Sequence, residues 1–180
     1  MSAFIALFRG INVGGKNKLP MKDLASLMEG MGLKKVSTYI QSGNVVFQAA
    51  ASKESGLATK IRGLIEDHYG FSPEVVILDQ GAIDKAISEN PFSEADAEPK
   101  SVHLTFLSAL PSSPDVEALE RIRKPSERFV LKGKVFFLHT PEGIGRSRLA
   151  ARVEKSLGVS CTARNWRTVL KLQEMIHACA

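Results

Sequence analysis

The sequence predicts an α+β fold, a tandem duplication of ferredoxin-like β-α-β-β-α-β plaits, each followed by a helix. Three observations predict it. Apolar strand-like runs and amphipathic helical stretches alternate in the same order twice along the 180 residues. Each half carries at its centre two strand runs joined by a short glycine-containing turn, "QSGN" in the first and "LKGK" in the second, which is a hairpin signal. Right-handed crossovers then leave few other ways to fold that order. What repeats is the pattern, with no visible sequence identity between the halves.

The elements follow in order. "SAFIALF" from Ser2 is a short apolar strand. After a glycine-rich loop, "LPMKDLASLMEGMGL" is helical: Pro20 suits the first turn, Leu24, Leu27, Met28 and Met31 share a face, and Gly32 ends it. "KKVSTYIQ" and "NVVFQ" make the first hairpin, "LATKIRGLIEDHYG" is an amphipathic helix, "SPEVVILD" a strand, and "QGAIDKAISEN" a short helix starting near Asp79. In the second half "KSVHLTFLS" is a strand and "SPDVEALERIRK" a helix with Ser113 as its N-cap. "ERFVLKGKVFFLH" is the second hairpin. "GRSRLAARVEKSLG" is a helix with Leu149, Val153 and Leu157 on one stripe, "VSCTAR" is a strand, and "NWRTVLKLQEMIHACA" closes the chain as a helix. Runs such as "FIALF" and "VVILD" are apolar on both faces, so each sheet needs cover on two sides. The acidic, proline-containing segment 90–100, "NPFSEADAEPK", reads as a linker between a first half, residues 1–89, and a second, residues 101–180.

A composition of 44% hydrophobic and 24% charged residues is that of a globular protein able to bury a full core. The net charge of +5 favours anionic partners. "MSAFIALFRG" has no basic leading stretch and meets Arg9 too early for a signal peptide, and no apolar run approaches a membrane span. A cytoplasmic chain with no membrane partner is expected. Cys161 and Cys179 form no CxxC pair and have no histidine at ligand spacing, so free thiols, and neither metal nor other cofactor, are expected. His103 and His139 fall on neighbouring strands of the second half, where they would share a face, but no acid or nucleophile stands beside them in the pattern. "KGKVFFLH" loosely resembles an RNA-stacking strand, yet the apolar alternation places Phe136 and Phe137 in the core.

The stretch "RGINVGGKNKLP" nearly matches a phosphate-binding P-loop. Asn17 replaces the magnesium-binding hydroxyl, and further residues up to Pro20 separate Lys16 from the helix, so Mg-ATP binding of that type is not expected. As a glycine-rich loop it still offers backbone amides that can form an anion nest, with Arg9, Asn12, Lys16, Asn17 and Lys18 as donors and charges. Gln41, Ser42 and Asn44 cluster at a turn that needs only Gly43. At "TARNWRTVLKL", Asn165 is placed to cap the closing helix, leaving first-turn amides for an anion gripped by Arg164 and Arg167. Trp166 reads both as a core anchor and as a flat wall for a base. Residues 146–171 carry seven cations against the single acid Glu154. The expected function is therefore binding of a phosphate-bearing small molecule or nucleic acid in a basic cleft between the halves. Its residues are Arg9, Asn12, Lys16, Asn17, Gln41, Ser42, Asn44, Arg164, Asn165, Trp166 and Arg167. Two alternatives stay open: an enzyme acting on an anionic metabolite, and a structural or oligomerising module whose loops form a homodimer contact.

Four blocks, "LFRGINVGGKNKLPM", "TYIQSGNVVF", "ENPF" and "TARNWRTVLKL", together resemble the bacterial domain-of-unknown-function 1697 family over essentially the whole chain. The resemblance implies a tandem α/β plait fold and brings no activity with it. The matching positions are Arg9, Gly10, Asn12, Gly14 to Asn17, Gln41 to Asn44, Asn90 to Phe92, and Arg164, Asn165, Trp166 and Thr168.

Overall fold

The computed structural model describes residues 1–50 and 56–180. Along them run β1 (Ser2–Arg9), α1 (Met21–Gly30), β2 (Lys34–Tyr39), β3 (Asn44–Ala49), α2 (Leu57–Tyr69), β4 (Glu74–Asp79) and α3 (Gln80–Ser88). Then come β5 (Val102–Leu107), α4 (Val116–Ile122), β6 (Arg128–Lys132), β7 (Val135–His139), α5 (Arg148–Leu157), β8 (Cys161–Asn165) and α6 (Trp166–Cys179). The strands form two four-stranded antiparallel sheets, ordered β2-β3-β1-β4 and β6-β7-β5-β8. The result is a two-part α+β fold with six α-helices among the described residues.

The chain divides into two compact units. The first is Met1–Asp84 together with Lys171–Ala180, and the second is Lys85–Leu170. The boundaries thus fall inside α3 and α6, not in the acidic segment 90–100. That segment is a built part of the second unit. Phe92 and Ala95 are buried, Glu94 pairs with Arg128, and the Arg128 guanidinium lies 5.1 Å above the Phe92 ring.

In the first unit, Leu24 and Met28 of α1 and Leu57, Ile61 and Ile65 of α2 cover Phe4, Ala6, Phe8, Val45 and Phe47 of the sheet. Leu27 and Met31, expected on the α1 stripe, are half-buried at its edge. In the second unit Leu149, Val153 and Leu157 of α5 pack with Leu107, Phe136 and Leu138. The opposite sheet faces are buried too, at Ile5, Leu7 and Val46 and at Leu104, Phe106 and Phe137. The cap of α4 is Asp115, whose Oδ1 accepts the Ala118 amide at 3.0 Å; Ser113 does not cap it, because the helix begins only at Val116, directly after Asp115. His103 and His139 do not share a face. His103 pairs with Leu138, and His139 with Val102, so the two imidazoles point to opposite sides. Burial pulls His103 down to about 4. Cys161 and Cys179 are buried cysteines with no disulfide between them, one in each unit. In the first unit the last turn of α6 is held by Lys35 and Gln48, which both donate to the Cys179 carbonyl at 3.2 and 2.7 Å. No helix of the described residues is long and apolar enough to cross a membrane.

Candidate functional site

The glycine-rich loop stands at the end of the first unit, where β1 runs out. Val13 to Lys16 is a tight turn, with the Lys16 amide donating to the Val13 carbonyl at 3.1 Å. Both central residues, Gly14 and Gly15, have positive φ (58° and 74°), the type I′ geometry that an L side chain resists. Past Lys16 the chain turns back, and α1 begins only at Met21. The amides of its first turn therefore lie beyond Pro20, and the Gly-Lys pair does not open a helix as a P-loop does.

The asparagines of the loop hold it shut. Asn12 Oδ1 accepts the Leu19 amide at 2.8 Å, and its Nδ2 donates to the carbonyls of Leu19 at 2.8 Å and Gln41 at 3.0 Å. Asn17 Nδ2 donates to the Gly10 carbonyl at 2.9 Å. Asn44 is fully buried, donating to the Tyr39 carbonyl and to Ser42 Oγ. These three side chains shape the site from within. Arg9, Lys16, Lys18 and Gln41 are exposed. The Asn12–Gln41 bond brings the loop and the hairpin turn together at one end of the unit. Gly43 sits beneath them: a Cβ there would lie 2.6 Å from Phe8 Cβ and 2.8 Å from Ile11 Cδ1.

Sequence reasoning missed Val13 and Ile40, which flank that bond and are exposed. Ile40 also has a φ of +50°. Their signal was a β-branched residue at each turn, outside any core periodicity.

The second cluster lies in the second unit. Asn165 Oδ1 accepts the Thr168 amide at 2.9 Å, the N-cap expected of it. Trp166 is buried and its Nε1 donates to Asp96 Oδ1 at 3.0 Å, so its ring offers no open wall. Arg164 and Asn165 are neighbours on β8 and take opposite faces. Arg164 Nη1 donates to the Ala163 carbonyl, and burial pulls the guanidinium down to about 10, still charged at neutral pH. Arg167 instead lines an open cleft of about 320 Å³ with Glu98, Lys100, Ser101, Thr140 and Gly143. Arg164 does not line that cleft, so the two arginines do not grip one anion there. Among the described residues no three His, Cys, Asp or Glu side chains stand close enough together to hold a metal ion.

No curated protein matches the chain. A solved structure that does is the conserved bacterial protein SP0830 from Streptococcus pneumoniae, 25% identical, with a TM-score of 0.71 over 97% of this chain and 98% of that one. The family model for "Protein of unknown function (DUF1697)" matches residues 1–137 and takes in the loop, the hairpin turn and the "ENPF" block; the chain belongs to the DUF1697 family.

Proposed function

We propose that the chain binds a phosphate-bearing polyanion, a nucleic acid, at the exposed end of its first unit. The observation that carries this is the loop itself. Residues 9–22 hold four cations, Arg9, Lys16, Lys18 and Lys22, and no acid, on a backbone stiffened by its own asparagines. A pre-ordered loop loses little entropy when it engages phosphates. Cations spread over an exposed tip suit a chain of phosphates better than one small molecule, which needs enclosure. The fold reading that accompanies it is that each unit is a ferredoxin-like plait and that the two arose by duplication. The test is binding of labelled RNA and DNA oligonucleotides across a salt series. Lys16→Gln/Lys18→Gln should flatten the slope of log K against log salt by about 1.4–1.8, the loss of two phosphate contacts. Binding indifferent to salt, or an unchanged slope in the variant, would overturn the reading.

A second reading has its own observation. Arg167 and Lys100 line the cleft at the start of α6, where a small anionic metabolite would find two cations against the single carboxylate of Glu98. Calorimetry with inorganic phosphate and simple carboxylates on wild type and Arg167→Ala checks it; equal heats in both proteins would remove it.

A further inference from the structure

We propose that Val13 and Ile40 form an aliphatic wedge that opens a base step in the nucleic acid held by the cations of residues 9–22. This rests on the polyanion reading above. Both side chains stand in solvent, 66% and 51% exposed, although Val and Ile are among the residues most often buried. Both sit on fixed backbone: Val13 closes the type I′ turn, and Ile40 starts the 40–43 turn with a φ of +50°. A β-branched residue in the left-handed region is an outlier, and Asn or Gly would fill that position with less strain. An exposed and strained isoleucine therefore does nothing for the fold that a polar residue would not do better. Such outliers cluster where a ligand is engaged.

The two tips are one surface. The Asn12–Gln41 bond joins the residue before Val13 to the residue after Ile40. Gly43, wedged against Phe8 and Ile11 beneath them, leaves the turn no room to slide. Arg9, Lys16, Lys18 and Lys22 belong to the same loop and its helix start. The occupant must then be anionic and must offer apolar surface between its charges. A nucleic acid does so once a step is unstacked: phosphates meet the lysines, and aliphatic side chains enter between base faces. A lipid surface is bound by a longer apolar stripe, usually a helix face, than two side chains provide.

The experiment uses a duplex with 2-aminopurine at its central step, a base whose fluorescence rises on unstacking, and vesicles of phosphatidylcholine with phosphatidylglycerol. Three proteins are compared: wild type, Lys16→Gln/Lys18→Gln, and Val13→Thr/Ile40→Asn, in which Thr keeps the shape of Val and Asn accepts positive φ. Wild type should raise the fluorescence. The Val13→Thr/Ile40→Asn protein should bind about tenfold more weakly, with the salt slope of wild type and no fluorescence rise. Wild-type binding without a rise, or a rise retained in that variant, overturns the wedge. The polyanion reading still stands in that case if the lysine variant flattens the salt slope. Binding to vesicles but not to the duplex overturns both.

Discussion

At Gly43 a hydrogen stands where any other residue has a carbon, and that carbon would fall 2.6 Å from Phe8 Cβ on a backbone with φ of +83°. Gly43→Ala therefore combines a core clash with backbone strain. It should cost about 2–4 kcal/mol, read as a lowered urea midpoint at unchanged slope. His103 carries a pH signature. Above 6.5 its imidazole is neutral both folded and unfolded and contributes no slope. As pH falls from 6.5 towards about 4, the unfolded chain takes up the proton and the native chain refuses it, so stability falls. The full drop is about 3 kcal/mol, and His103→Gln should flatten the denaturation profile across that window. Residue roles were legible where the partner is near in sequence. Asn165 caps an amide three residues on, and the cap was readable. Asn12 reaches Gln41 across 29 residues, and Trp166 reaches Asp96 across 70. A side chain that braces a loop looks, in sequence, the same as one that waits for a ligand.

Elements were more legible than residues because their signals are periodic and local. Leu149, Val153 and Leu157 announce α5 by spacing alone and are buried as that spacing requires. The cap of α4 lies two residues beyond the one read from the sequence, since Ser113 and Asp115 are both good caps and a proline after Ser113 suits a helix start as well. The allegiance of α6 was not legible at all. Its last nine residues, 171–179, belong to the first unit, and the anchors of its final turn, Lys35 and Gln48, lie 144 and 131 positions away. Deleting residues 171–180 removes Leu172 and Ile176, both fully buried. At about 1.5–3 kcal/mol each, their loss rivals the whole stability of a small domain. The truncated chain should lose near-UV circular dichroism and dispersed amide resonances; a cooperatively melting truncation would show that α6 is dispensable to the first unit.

For the whole molecule, the question is whether the two units melt together. The single tryptophan, Trp166, lies in the second unit, so its fluorescence reports that unit, while far-UV circular dichroism reports helices of both. Two helices, α3 and α6, begin in one unit and end in the other, and melting either unit would fray both. Fluorescence and circular dichroism should therefore give one coincident thermal transition; a tryptophan change that precedes the loss of ellipticity would show units that unfold separately. The two buried thiols make a finer instrument. A thiol reagent reaches Cys179 when the end of α6 lifts from the first unit and Cys161 when β8 opens in the second. Peptide mass spectrometry after timed alkylation would then run two stopwatches in one tube, each started by the native chain's own fluctuations.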